Sequence, residues 1–137
     1  MNAKSWLNRA RRIDKELNML IVARQSLYER LQSITQAYDS DGTQSTKDPH
    51  KFDKLAEIDS EIRNRMVYYT EVWEEVFNTI QKLEDGRYRQ ILVGRYLRGF
   101  TWERIAVAIG YSYKQTIRLH GYALKAIEQF ITEEKYD

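Results

Sequence analysis

The chain has 137 residues, of which 31% are charged and 12% aromatic, so it can bury the core of one domain or of two small ones. It contains one proline, six glycines and no cysteine, which favours long helices over a sheet and excludes a disulfide framework or thiolate chemistry. No apolar run approaches the roughly 18 residues of a membrane span and no apolar signal segment begins the chain, so we expect a cytoplasmic protein without a membrane partner.

Positive charge is concentrated in one segment of the sequence. Residues 1–84 contain 13 Lys/Arg and 14 Asp/Glu, residues 85–127 contain 8 and 2, and residues 128–137 contain 1 and 4, so their net charges are −1, +6 and −3. A cationic segment of this kind is typical of proteins that bind the phosphates of nucleic acids. We therefore expect DNA contacts from residues 85–127.

Residues 3–38 are predicted to form one long helix. Apolar side chains recur there at alternating steps of four and three, which is the seam pattern of a coiled coil. The seam residues are Trp6, Ala10, Ile13, Leu17, Leu20, Leu27, Leu31, Ile34 and Tyr38. Only Arg24 interrupts this pattern.

A second long helix is predicted over residues 51–84, where Asp59 breaks the seam once and Ile58 beside it can substitute. Its seam residues are Leu55, Ile62, Met66, Tyr69, Trp73, Val76, Ile80 and Leu83. The polar segment Asp39–Pro49 is rich in turn formers and is predicted to be a loop. The two helices are therefore expected to form an antiparallel hairpin over residues 1–84, in which the numbers of facing residues sum to about 90 by helix geometry.

This arrangement places the basic start of the first helix near the acidic end of the second. The basic residues are Lys4, Arg9, Arg11, Arg12 and Lys15, and the acidic residues are Glu71, Glu74, Glu75 and Glu84. Attraction between the two sets supports the antiparallel hairpin, although the basic cluster could instead contact DNA.

Apolar residues off the main seams exceed what two helices can cover. They include Ile21, Tyr28, Tyr68, Val72 and Phe77. Exposed apolar stripes tend to acquire partners, so we expect the hairpin to form a homodimer. The alternative is that the third helix covers these residues within one chain.

A break follows at Glu84, Asp85 and Gly86, and Asp85 can cap a third helix over residues 87–98. Gly94 lies in the middle of this helix, where it costs roughly 1 kcal/mol relative to alanine. We therefore expect a neighbouring helix to approach closely at Gly94. Further on, Gly99 is predicted to end the third helix and Thr101 to cap the next one.

The segment Phe100–Lys125 has the spacing of a helix-turn-helix. Ala106 offers a small side chain where the second helix must cross, and Gly110 follows four residues later, where a left-handed backbone costs glycine nothing. Ser112 is placed to cap the second helix. Steps of three and four predict the buried stripe of that helix, which is Thr116, Leu119, Ala123 and Ile127.

The sequence thus predicts an all-α fold, in which a long antiparallel helical hairpin of the coiled-coil type precedes a C-terminal helix-turn-helix. We expect the hairpin over residues 1–84, the helix-turn-helix domain over residues 85–131, and a frayed tail over residues 132–137.

The outer face of the second helix carries side chains that reach base edges, since arginine can pair with guanine and glutamine with adenine. The predicted base-reading residues are Tyr113, Lys114, Gln115 and Arg118. The predicted contacts with the DNA backbone are Arg87, Arg89, Thr101, Arg104, Ser112, Lys114, Tyr122 and Lys125.

The sequence offers no pattern of catalytic or metal-binding residues. His50 and His120 are remote from one another, whereas a metal site needs three or four convergent ligands. No strand precedes a glycine-rich phosphate loop. We therefore predict a protein that is not an enzyme and that has no metal and no cofactor.

Residues 85–127, DGRYRQILVGRYLRGFTWERIAVAIGYSYKQTIRLHGYALKAI, resemble region 4 of the sigma-70 family. The resemblance is carried by RYLRGFT at 95–101, WERIA at 102–106 and YALKAI at 122–127. With its opening AKSWLNRARRIDKEL, the whole chain is similar to small phage and prophage regulators related to late-gene activators of the RinA and ArpU type. Thr116 departs from the pattern, because such helices usually have valine or isoleucine there.

The resemblance implies a phage transcriptional activator that binds promoter DNA beside host RNA polymerase, in the nucleoid of the host cytoplasm. No segment of the hairpin resembles one that melts a promoter, so the chain would be an accessory protein. Two alternatives remain open. One is the DNA-recognition subunit of a phage packaging terminase, which would assemble as a ring, and the other is a polymerase-binding module that does not bind DNA.

Overall fold

The computed structural model describes residues 2–40, 50 and 52–136. Every regular element in this part of the chain is a helix, which confirms the predicted all-α fold. The elements are α1 (Ala3–Ser40), α2 (Asp53–Ile80), α3 (Gly86–Leu92), a π-helical turn (Val93–Leu97), α4 (Trp102–Ile109) and α5 (Tyr113–Tyr136). None of these helices is both long enough and apolar enough to cross a membrane.

The chain divides into two compact units. Residues 14–68 form the hairpin unit, and residues 1–13 with 69–137 form a second unit, which we call the five-helix unit because all five helices contribute to it. This division differs from the boundary predicted at residue 84. The reason is that the first turns of α1 and the last turns of α2 pack against the C-terminal helices.

Within the hairpin unit α1 and α2 run antiparallel, as predicted. Arg24 Nε donates to Asp59 Oδ1 at 2.9 Å, and Arg65 Nη1 donates to Glu16 Oε2 at 3.2 Å. The paired residue numbers sum to 83 and 81, so the predicted register of about 90 is wrong. The two residues that interrupt the predicted seams, Arg24 and Asp59, neutralise each other, and the hydrogen bond from Arg24 lowers the pKa of Asp59.

The apolar pattern of the long helices is only partly a seam. Ile34 and Met66 were predicted on the seam and are exposed, since a straight α-helix drifts about 20° per heptad from a strict seven-residue repeat. Val72 is buried and Phe77 packs against the core of the five-helix unit, so these two are covered within one chain. Of the off-seam residues named above, Ile21 and Tyr68 are exposed, and so are the off-seam residues Met19, Val22 and Val67.

The helix ends differ from the predicted ones by a few residues. The first helix continues to Ser40, into the predicted loop, whose residues 41–49 lie outside the described part of the chain. The second ends at Ile80 and not at residue 84, because tighter backbone bonds, such as Leu83 N to Ile80 O at 3.0 Å, replace the α-helical ones. The backbone of α5 is helical to Tyr136, across the predicted tail.

A large apolar core joins the helices of the five-helix unit. Its members are Ala3, Trp6, Leu7, Ala10 and Ile13 of α1, Val72, Val76 and Ile80 of α2, Leu83, Leu92, Tyr96 and Leu97, and Ala123, Ile127 and Ile131 of α5. At the edge of this core Arg9 Nη2 lies 3.3 Å from Glu75 Oε1. This ion pair is one of those predicted between the start of the first helix and the end of the second.

The third helix begins as predicted and ends differently. Asp85 Oδ1 accepts from Arg87 N at 2.9 Å, which confirms Asp85 as the cap. The α-helix stops at Leu92 and widens into the π-helical turn, which the sequence did not predict. A side chain at Gly94 would lie 3.3 Å from Cγ1 of Ile105 in α4, so the predicted close approach at this glycine is confirmed.

Candidate nucleic-acid interface

The pair α4 and α5 is joined by a three-residue turn whose chemistry matches the sequence prediction. Gly110 has a left-handed backbone with φ of +75°, and its N–H donates to Ala106 O at 3.0 Å. Tyr111 N donates to the same carbonyl at 3.1 Å, which completes a glycine-terminated helix end. Beneath the turn, Ile105 packs with Ile91 and Leu119 in a small separate core. The turn at Gly110 and this small core together therefore fix α4 and α5 relative to each other.

The start of α5 is held by a reciprocal cap. Gln115 N donates to Ser112 Oγ at 3.1 Å, and Ser112 N donates to Gln115 Oε1 at 3.2 Å, an arrangement known as a capping box. Ser112 is therefore a cap, as predicted. Because the Gln115 carboxamide oxygen is already occupied, pairing of Gln115 with both polar atoms of an adenine edge requires this box to open.

The buried stripe of α5 contains all four predicted residues, and Thr116 satisfies its hydroxyl by donating to Ser112 O at 2.8 Å. On the opposite face an exposed stripe recurs at steps of four, three and four. It consists of Lys114, Arg118, Gly121 and Lys125. Tyr113 and Tyr122 lie beside it with about half of their surface exposed, 51% and 53%.

The basic residues of this exposed stripe are uncompensated. Among the described side chains, no carboxylate lies within 4 Å of Lys114, Arg118 or Lys125. Gly121 stands between Arg118 and Lys125, and a side chain built on it would meet nothing within 4 Å. Packing within the described chain therefore does not explain why a glycine stands here. Glycine in an exposed helix also costs roughly 1 kcal/mol of stability relative to alanine.

Besides Ser112, three of the predicted backbone-contact residues have structural roles. Arg89 is turned inward, where its guanidinium donates to the carbonyls of Leu83 and Glu84. Thr101 Oγ1 accepts from Arg104 N at 3.2 Å and caps α4. Arg87 is exposed, and its Nη2 donates a hydrogen bond to Asp85 Oδ2 at 2.8 Å. The Arg89 guanidinium therefore stabilises the turn between α2 and α3, and we no longer expect it to contact DNA.

Arginines stacked on aromatic rings form a second basic feature. The Arg104 and Arg98 guanidinium carbons lie 3.9 Å and 4.4 Å from the ring centroid of Phe100. The Arg95 guanidinium carbon lies 4.5 Å from the ring of Trp102, and its Nη1 donates to Phe100 O at 3.2 Å. Stacking of this kind restricts the side chain and leaves its charge available to an anion.

Of these three arginines, the sequence pattern predicts only Arg104 as a DNA contact, and not Arg95 or Arg98. The signal was present, because arginines and aromatic residues alternate along RYLRGFTWER. The same segment also has the pattern of a helix end and a cap, which does not predict the π-helical turn that contains Arg95.

His120 is buried near the inner face of α5. Its Nε2 lies 2.7 Å from the Tyr96 hydroxyl oxygen, and its ring meets Trp102 edge-on at 4.5 Å. Burial lowers the pKa of His120 to about 4, with further lowering by the positive charges of Lys4 and Arg95. Burial also raises the pKa of Tyr96 to about 12, so both groups are neutral at pH 7.

Within the described residues no three His, Cys, Asp or Glu side chains are grouped as a metal ion would require. No family model, curated protein or solved structure matches the chain. The resemblance to sigma region 4 therefore stays a prediction.

Proposed function

We propose that the chain binds double-stranded DNA sequence-specifically through α4 and α5, and regulates transcription as an accessory to a host RNA polymerase. In this proposal α5 enters the major groove as the recognition helix of a helix-turn-helix. The activation of phage genes belongs to the same proposal and comes from the resemblance to sigma region 4.

The observation that carries the proposal is the exposed basic stripe of α5. Lys114, Arg118 and Lys125 project from one face of a helix whose opposite face is buried, and no described carboxylate neutralises them. A rigid row of cations suits a polyanion better than a folded protein surface, where charges of both signs alternate. Base reading is assigned to Arg118, because its fork can donate two bonds to guanine.

The first test is the replacement of Arg118 by alanine and by lysine. A cognate duplex is first selected from a random library with the full chain. We expect Arg118→Ala to lose about 1–3 kcal/mol of binding free energy on that duplex and much less on random DNA. Arg118→Lys is the matched control: it keeps the charge and loses the fork, so salt dependence should persist while specificity falls. Equal losses on both duplexes would leave Arg118 as a phosphate contact.

A second test uses Gly121, whose missing side chain lets a partner approach the backbone of α5. We expect Gly121→Ala to raise the stability of the protein by up to about 1 kcal/mol and yet to weaken binding to the selected duplex. The control is Asn64→Ala, at an exposed position of α2, which also improves helix propensity and should leave affinity unchanged. Unaltered affinity of the Gly121 variant would show that no partner contacts the helix there.

A further inference from the structure

The first helix contributes charge as well as core residues to the five-helix unit. Its buried stripe runs through Trp6, Leu7 and Ala10, and Arg9 lies on one flank of this stripe, where it pairs with Glu75. At 100° per residue, Lys4 and Arg11 fall together on the opposite flank, about 150° from Arg9 around the helix axis. Because the Arg9 flank faces α2, the Lys4 and Arg11 flank lies toward the other elements that share this core, the π-helical turn and α5.

One of the groups beside that flank, Arg95, is itself cationic. Burial lowers the pKa of Arg95, and the nearby positive charge of Arg11 lowers it further. Lys4 acts on the buried His120 in the same direction. Glu103 and Tyr113 also face Arg95 and oppose this effect weakly. Lys4, Arg11 and Arg95, which we call the α1 cation cluster, therefore converge from two separate elements of the chain.

This convergence is unfavourable in the absence of an anion. Among the described residues no carboxylate lies within 4 Å of any member of the cluster. Arg95 cannot turn away freely, because it is stacked on Trp102 and bonded to Phe100 O. Like charges held together in this way create a local field that attracts an anionic partner.

We propose that Lys4 and Arg11 of the first helix, together with Arg95, bind phosphates of the same DNA duplex that α5 reads. The inference rests on the proposed function and extends the interface to a segment about a hundred residues away in sequence. Tyr113, at the first turn of α5, faces Arg95, so the α1 cation cluster adjoins the end of α5 that would enter the groove. A phosphate backbone is the occupant because its charges repeat along the groove edge.

The test is the double variant Lys4→Ala/Arg11→Ala in the full chain. Each lost phosphate contact should reduce the slope of log affinity against log salt by about 0.9, so the double variant should lose about 1.8 on selected and random duplexes alike. The matched control is Arg30→Ala/Arg63→Ala, which removes the same charge from exposed positions of the hairpin unit and should leave the slope unchanged. Lys4→Gln/Arg11→Gln, with melting curves for all proteins, separates charge loss from loss of structure.

An unchanged salt slope in both the alanine and the glutamine double variants of Lys4 and Arg11, with specificity still dependent on Arg118, would overturn this inference. The proposed function would then still stand. Loss of affinity on the selected duplex alone would mean base reading in place of phosphate binding, and would equally overturn this inference. Absence of DNA binding by the unmodified chain would overturn both proposals together.

Discussion

Replacing Leu7 with alanine is expected to destabilise the five-helix unit by about 2–5 kcal/mol. Leu7 has no exposed surface and belongs to the core that also contains Ile80, Leu92 and Ile127. The substitution removes buried apolar atoms and leaves a cavity, because close-packed neighbours relax only partly. Urea unfolding followed by circular dichroism measures the loss. The control, Ile21→Ala, is at an exposed position of the same helix and should cost less than about 0.5 kcal/mol.

The same core predicts the behaviour of fragments. A fragment that begins at residue 85 contains α3, α4 and α5 but lacks every α1 and α2 member of the core. We expect it to be unfolded, since a short chain without half of its apolar core cannot offset the conformational entropy of ordering. A Leu7→Ala loss below about 1 kcal/mol, or a folded fragment, would show that the first helix is dispensable for the DNA-binding surface.

Acidification from pH 7 to pH 4 is expected to destabilise the protein by about 3 kcal/mol through His120 alone. The pKa of His120 is about 4 in the folded protein and about 6.5 when unfolded. Between these two pH values His120 is protonated in the unfolded chain and neutral in the folded chain. The free energy of unfolding therefore falls as the pH drops through 6.5, and the loss is complete below about pH 4. The physical cause is the burial of His120 against Tyr96 and Trp102, with Lys4 and Arg95 nearby.

His120→Gln removes the titrating group and keeps a polar atom for the Tyr96 hydroxyl. Its free energy of unfolding should vary much less between pH 7 and pH 4.5 than that of the unmodified protein. His50→Gln is the control, because His50 is exposed. Asp85, whose pKa is lowered to about 2 by the Arg87 guanidinium, loses its contribution only below about pH 4, outside this window. The same pH dependence in both His120→Gln and unmodified protein would contradict the assignment.

The sequence predicted those features that depend on neighbours within one or two turns. The caps at Asp85 and Ser112, the left-handed Gly110 and the buried stripe of α5 follow from local backbone chemistry and a 3.6-residue period. The close approach at Gly94 could be predicted because a glycine inside a helix requires a packing reason.

Features that depend on distant parts of the chain could not be predicted. The register of the hairpin follows from the pairing of Arg24 with Asp59, two residues that each interrupt the apolar pattern of their own helix. The inward turn of Arg89 and the stacking of Arg95 depend on where α2 ends and on the π-helical turn. Tertiary packing determines the hairpin register and these side-chain positions, and it overrides local propensity.

The decisive test of sequence-specific DNA binding is the ratio of two dissociation constants of the full chain, for the selected duplex and for random DNA, at physiological salt. Sequence-specific DNA-binding proteins typically bind their sites about 10³–10⁷ times more tightly than random DNA. We expect a ratio within this range, which Arg118→Ala should reduce. A ratio near one at every salt concentration, or no binding to either duplex, would contradict sequence-specific DNA binding by this chain.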